Sequence, residues 1–152
     1  MKVKDVLQKD VLTLHKGDFL DVAENIMTLG RIRHLPIVDE KGQLIGMVTQ
    51  RDLLRASVAS VLGLSKTAER DWLAAIPVDQ VMTKSAVSVG PESELADAVD
   101  LMVRRKYGCL PVVEDGRLVG LLTETDCLGC LLNLLRPAAA ELGRRQATDL
   151  EC

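Results

Sequence analysis

The chain of 152 residues contains itself twice. Slid along itself by about 75 positions, it sets Val3, Val6, Leu20, Ala23, Met27, Leu35, Pro36 and Val38 on Val78, Val81, Leu95, Ala98, Met102, Leu110, Pro111 and Val113. After a one-residue gap, Gly42, Leu44, Gly46, Thr49, Asp52 and Leu54 fall on Gly116, Leu118, Gly120, Thr123, Asp126 and Leu128. A duplication constrains the fold more than any single motif, because both copies must adopt the same elements. A unit of about 55 residues buries too little core to stand alone, so the copies are expected to pack together as one pseudo-symmetric body. A mass of 16.6 kDa leaves no room for a catalytic barrel beside them.

Each copy reads as the same series. Val11 to Leu14, with Ala86 to Val89 in copy two, is a short apolar run suited to a strand. A helix follows, with Asp18 and Ser93 as expected N-caps and with Leu20, Ala23, Ile26 and Met27, or Leu95, Ala98, Leu101 and Met102, at helical spacing. Two β-type runs, Leu35 to Val38 and Leu44 to Thr49, are joined by Asp39-Glu40-Lys41-Gly42, and Glu114-Asp115-Gly116 makes the tighter turn of copy two. A parallel strand, helix, strand unit takes a right-handed crossover. The expected fold is therefore mixed α/β (α+β), two tandem βαββα repeats related by a pseudo-twofold axis. The second helices run from Leu53 to Leu64 and from Cys127 to Leu135.

The repeats span residues 1–60 and 78–135, and residues 61–77 form a helical linker holding the charged stretch Ser65 to Ala75 and closing at Ile76-Pro77. Residues 136–152 read as a C-terminal tail. Ala138 to Gly143 allows a turn or two of helix, while Arg144 to Cys152 lacks an apolar period, the pattern of disorder or of a partner contact.

Charge and composition exclude several functions. Lys and Arg number 19 against 22 Asp and Glu, giving a net charge of −3, so nothing draws the chain to polyanions. Phe19, Trp72 and Tyr107 are the only aromatic residues, too few to stack successive bases. No nucleic acid and no membrane is expected as partner: no window approaches 18 uncharged apolar residues, and Met1-Lys2-Val3-Lys4-Asp5 is charged where a signal peptide turns apolar. The expected location is cytoplasmic, with Cys109, Cys127, Cys130 and Cys152 reduced.

The third strand and its exit read GMVTQRD from Gly46 and GLLTETD from Gly120, the pattern Gly-x-x-Thr-x-x-Asp twice. Glycine admits a close approach by another backbone or a flat ligand, and Thr and Asp sit in a first helical turn. A carboxylate can accept both hydroxyls of a ribose, and a Thr hydroxyl beside backbone N–H groups suits a phosphate oxygen. The same Thr-x-x-Asp spacing is also a capping box with Asp in place of Glu, and capping alone accounts for an isolated instance.

The segments HLPIVDEKGQLIGMVTQRDLL from His34 and CLPVVEDGRLVGLLTETDCL from Cys109 resemble a tandem pair of CBS (cystathionine β-synthase) domains, a Bateman module, over about Val3 to Leu135. The openings VKDVL and VDQVM match the short helices of that family. The resemblance implies a regulatory module that binds adenine nucleotides or related adenosyl ligands (AMP, ADP, ATP, NAD or S-adenosylmethionine) between its repeats, needs no cofactor and signals to an effector protein. It implies that Asp52 and Asp126 bind ribose, Thr49 and Thr123 ribose or phosphate, and Thr13 and Ser88 the adenine edge. Leu12, Leu35, Pro36 and Ile37 would hold the adenine face in one site, and Val87, Leu110, Pro111 and Val112 in the other.

The copies differ. Copy one brings Arg31, Arg33, His34 and Arg51 toward its cleft, where copy two has Lys106, Gly108, Cys109 and Thr125, so phosphate preference falls to copy one. Arg104, Lys106 and Lys84 are candidates to serve the opposite site.

Other chemistry is thinner. Cys127-Leu128-Gly129-Cys130 has the spacing of half a zinc site or a thiol pair, but no second ligand pair accompanies it, so no metal is expected. His15 and His34 suggest no catalytic constellation, so no enzyme is expected. The paired acids Asp18 with Asp21 and Asp97 with Asp100 complement helix starts. The second helices are too apolar for lone surface helices, and a homodimer is the expectation. A thiol- or metal-responsive sensor and a purely structural dimerisation module are the rival readings.

Overall fold

The computed structural model describes residues 1–57, 63 and 65–148. After a 3-10 turn at Val3–Asp5 come β1 (Leu14–His15), α1 (Leu20–Gly30), β2 (His34–Val38), β3 (Leu44–Thr49), α2 (Gln50–Ala56) and α3 (Lys66–Leu73). Copy two repeats the order with a 3-10 turn at Val78–Gln80, β4 (Thr83–Lys84), α4 (Leu95–Arg105), β5 (Cys109–Glu114), β6 (Arg117–Thr123) and α5 (Glu124–Thr148).

In copy one, β1 pairs parallel with β2 and β2 pairs antiparallel with β3, the expected unit. In copy two Val89 alone bridges Val112 in parallel, beside the β5–β6 hairpin. The first strand is shorter and later than the run Val11 to Leu14 predicts. Val11 and Ala86 instead pack between the repeats, against Met47, Cys109 and Leu121.

The leading segments are exchanged. Thr83 and Lys84 of copy two lie antiparallel on Met47 and Gly46, and Gln8 of copy one lies on Leu121 through bonds of 2.8 and 3.0 Å. The hairpin tips meet at equivalent positions, Gln43 opposite Arg117, with Leu44 N–H donating to the Gly116 carbonyl and Leu118 N–H to that of Gly42, each at 3.1 Å. A self-paired contact of this kind marks the pseudo-dyad.

Both motif glycines serve the exchange. A Cβ on Gly46 would stand 2.4 Å from Met82 Sδ, and one on Gly120 would stand 2.1 Å from Leu7 Cδ1 and 2.5 Å from the Gln8 carbonyl oxygen. Of the two approaches that a glycine here allows, the structure uses the backbone one.

The N-caps differ from expectation. Phe19 and Glu94 occupy them without side-chain bonds, and the Asp18 carboxylate accepts from His15 N–H at 2.7 Å instead. The first helical N–H of each copy finds a backbone carbonyl in the segment entering the other repeat: Leu20 donates to Ile76 at 3.0 Å and Leu95 to Met1 at 2.9 Å. Tertiary backbone does the work of a cap.

Within the stretch read as a linker, Lys66–Leu73 form α3, with the Ser65 side chain capping Ala68 N–H at 3.2 Å. It also closes copy one: Leu73 is 1% exposed within that core, and Trp72 Nε1 donates to the Ala56 carbonyl at 3.0 Å. The copy-one second helix ends at Ala56, so the expected stretch to Leu64 includes residues 58–62 and 64, outside the described residues. In copy two the helix runs to Thr148, so the stretch read as a tail from 136 begins inside a helix. Pro137 withdraws one donor, that for the Asn133 carbonyl, and the backbone continues past it.

Candidate functional site between the repeats

A cleft of about 690 Å³ opens between the repeats. From copy one it takes Arg33, His34, Met47, Thr49, Gln50, Arg51 and Leu54; from copy two Thr83, Ser85, Ala86, Val87, Lys106, Tyr107, Gly108, Cys109, Pro111 and Glu124. It thus combines the Thr-x-x-Asp turn of one copy with the leading segment of the other, a consequence of the strand exchange.

Thr49 holds its place through the capping box. Asp52 Oδ2 accepts from Thr49 N–H at 2.8 Å and from Thr49 Oγ1 at 2.7 Å, while Asp52 N–H donates to Thr49 Oγ1 at 3.3 Å. Thr123 and Asp126 reproduce it at 2.8, 2.6 and 3.3 Å. The capping role is real in both copies. It commits one carboxylate oxygen and leaves Oδ1 of each Asp without a hydrogen bond among the described residues.

Backbone bonds at equivalent positions pin the two sides: Gln50 N–H donates to the Arg33 carbonyl at 2.9 Å and Glu124 N–H to that of Gly108 at 3.2 Å. His34 lies over Gly108, where a Cβ would come 3.3 Å from its Cε1 and Nε2 and 3.6 Å from Glu124 Oε2. Burial, with Arg33 adding to it, lowers the His34 pKa against the opposing pull of Glu124 and Asp52. The imidazole is neutral at pH 7. Burial, with a smaller push from Asp126, raises the thiol of Cys109, its equivalent in copy two, to about 12. Arg33, Arg51, Lys106 and Glu124 form no ion pair among the described residues.

Of the expected ligand residues, the cleft brings together Arg33, His34, Thr49, Arg51, Val87, Gly108, Cys109 and Pro111. Leu12, Thr13, Asp52, Ser88, Thr123 and Asp126 are outside its wall. Asp52 is part-buried, one residue from Arg51, and Leu12 is 55% exposed.

The expected apolar slot is not what lines the cleft: Leu35, Ile37, Leu110 and Val112 are 0% exposed and belong to the cores of their own repeats, Pro36 is buried, and none of the five is in the cleft wall. Strand alternation puts the other face of the hairpins toward the cleft, as Met47 and Pro111 show. The sequence reading also missed Gln50, Leu54, Thr83, Ser85, Tyr107 and Glu124, which become visible once the leading segment of copy two is laid on the third strand of copy one.

The thiols are dispersed: Cys109 is buried between the repeats, and Cys127 and Cys130 lie on α5 against the copy-two core. No three His, Cys, Asp or Glu residues are placed to hold a metal ion among the described residues. No helix among them is long and apolar enough to cross a membrane.

The CBS domain family matches residues 3–59 and 78–133, most of the chain and both copies. The chain belongs to the CBS domain family. A CBS domain-containing protein of Dictyostelium discoideum is 32% identical over 136 residues, 89% of this chain and 94% of that one. Among solved structures, a Vibrio cholerae protein assigned to acetoin utilization (AcuB) superposes with a TM-score of 0.77 at 35% identity, over 92% of this chain and 96% of the other. CBSX2, solved in complex with AMP, gives 0.74 at 26% identity over 88% and 97%. The CBS domain pair of MJ0100, solved with 5′-methylthioadenosine and S-adenosyl-L-methionine, gives 0.70 at 26% over 86% and 99%. The protein is a CBS pair with the mixed α/β fold of those modules, and relatives of this fold bind adenosyl ligands.

Proposed function

We propose that this CBS pair is a non-catalytic regulatory module that binds an adenosyl ligand in the cleft between its repeats and reports occupancy to an effector protein. The observation that carries this reading is the composite wall of the cleft. A ligand seated there touches Thr49 and Arg51 of one repeat and Val87 and Tyr107 of the other. It therefore stabilises one relative placement of the repeats by whatever extra affinity it has for that placement. Asp52 Oδ1, free of the cap and just beyond the cleft wall beside Arg51, is the oxygen for a ribose hydroxyl at the cleft's edge; Thr49 Oγ1 with Arg51 and Lys106 suits phosphate, and Val87, Met47 and Pro111 supply an apolar surface for a base. AMP in CBSX2 and S-adenosylmethionine in the MJ0100 pair support the ligand class.

Thermal melts with AMP, ADP, ATP, NAD and S-adenosylmethionine test it. A ligand at a hundredfold over Kd adds about 2.7 kcal/mol and raises the midpoint. Asp52→Ala weakens that ligand about 10- to 150-fold through loss of charge-assisted hydrogen bonds. Silence across the whole panel refutes the reading and leaves a structural dimerisation module.

The proposed quaternary state is a homodimer. Leu128, Leu131, Leu132, Leu134 and Leu135 on α5, with Val103 on α4, are all between 47% and 72% exposed, an apolar face that association would cover. Light scattering on the full chain at micromolar concentration distinguishes dimer from monomer.

A further inference from the structure

The pseudo-dyad relates the wall of the cleft to a second position at Thr123, and the two differ in charge. On the Thr49 side stand Arg33, Arg51 and Lys106 against one carboxylate, Glu124. Carried across the dyad, Arg51 becomes Thr125, Lys106 becomes Arg31, Arg33 exchanges with Gly108, and Ser85 becomes Asp10. The Thr123 side therefore has two cations, Arg31 and Arg33, against two carboxylates, Asp10 and Glu124. The Thr49 side has an excess of two positive charges and the other side has none.

The three cations are unpaired among the described residues, so they reach the cleft without a carboxylate already neutralising them. Lys106 enters the cleft from a helix end. It ends α4 in the left-handed region (φ 56°), where glycine is the comfortable residue, with its N–H on the Met102 and Val103 carbonyls. Its counterpart Arg31 ends α1 in the same region (φ 51°), so each face receives one cation from this position, and Lys106 lines the Thr49 cleft from copy two.

We propose that the two faces of this pair are chemically unlike: the Thr49 cleft takes an adenosine polyphosphate, with Arg51 of one repeat and Lys106 of the other on its phosphates, and the Thr123 position does not. This rests on the adenosyl-binding reading above and narrows it to one ligand class and one face. A sulfonium ligand such as S-adenosylmethionine brings positive charge toward three cations and is disfavoured there.

Isothermal titration of the full chain with ATP, adenosine and S-adenosylmethionine tests it. The expected result is one ATP per chain, bound at least about tenfold tighter than either other ligand. Arg51→Thr, which installs the residue of the opposite face, lowers ATP affinity about tenfold or more, with a smaller effect on adenosine. Lys106→Gly does the same through a substitution the left-handed backbone welcomes, so loss of binding there is not loss of fold. Adding Asp10→Ser and Thr125→Arg to the wild type brings in a second ATP. Two equivalent ATP sites in the wild type, adenosine or S-adenosylmethionine binding as tightly as ATP, or ATP affinity unmoved by both Arg51→Thr and Lys106→Gly overturns the charge assignment while leaving adenosyl binding intact. Failure of all three ligands to bind overturns both.

Discussion

Replacing the motif glycines with alanine separates a strand-crossing role from a ligand role, and the two copies predict different costs. At Gly120 the new methyl group would stand 2.5 Å from the Gln8 carbonyl oxygen and 2.1 Å from Leu7 Cδ1. The leucine can turn away, but the carbonyl belongs to a backbone bound to Leu121 at 2.8 and 3.0 Å, so the leading segment must lift and strain both bonds. Overpacking costs about 1–3 kcal/mol, and each hydrogen bond lost adds about 0.5–1.5 kcal/mol. Gly120→Ala is expected to destabilise by about 2–6 kcal/mol. At Gly46 the nearest atoms are Met82 Sδ at 2.4 Å and Cγ at 3.0 Å, on a side chain with several rotatable bonds, while the backbone oxygen of Thr83, at 3.2 Å, needs to give by only a few tenths of an ångström. Gly46→Ala should cost about 1 kcal/mol, because methionine repacks readily. Urea unfolding of the two variants measures the difference directly. Equal losses, or the larger loss at Gly46, would refute the claim that backbone crossing at Gly120 sets the requirement.

The neutral His34 gives the fold a pH dependence. Its pKa in the folded state is below that of the unfolded chain, so its contribution is complete above about pH 6.5 and is lost as pH falls from there through the folded value. As pH falls from about 6.5, the urea midpoint of wild type should drop relative to that of His34→Gln, which carries no titrating group there, and a difference that stays constant with pH would refute the burial of a neutral imidazole. Leu73→Ala, at a site 1% exposed in the copy-one core, should cost about 2–5 kcal/mol, and a loss below 1 kcal/mol would show that the linker helix does not close that core. Cys109, with its thiol raised to about 12, should stay unmodified by a disulfide reagent at pH 7 in the folded protein and react only after unfolding, as peptide mapping would show.

The duplicated pattern carried most of the architecture. The parallel first pairing, the two hairpins and the linker helix all follow from runs and turns readable within about 15 residues. What the chain order hides is pairing between copies. Nothing local to Gln8 or Thr83 says that each lies on the third strand of the other repeat, and that exchange decides which residues face the cleft. It is why Tyr107 and Glu124 were missed and why Leu35, Ile37, Leu110 and Val112, apolar and close to the motif in sequence, turned out to face inward. The N-caps went astray for the same reason: backbone carbonyls of Ile76 and Met1 satisfy groups that a local reading assigns to Asp18 and Ser93.

The distribution of buried residues shows where a ligand has leverage. Among the described residues, ten pack the copy-one core and seven the copy-two core, but only Met47, Cys109 and Leu121 form the buried layer between them. Interiors packed at crystal-like density resist deformation, and each core here also holds a residue of the segment leading into the other copy, Val78 in one and Val3 in the other, so adjustment falls on the thin shared layer rather than on either core. Met47 and Cys109 of that layer also line the cleft. The exchanged leading segments and the paired hairpin tips also tie the repeats together by backbone bonds, so a ligand seated there would adjust how the repeats meet within that frame. A ligand confined to one repeat would have to deform a dense core to produce the same response.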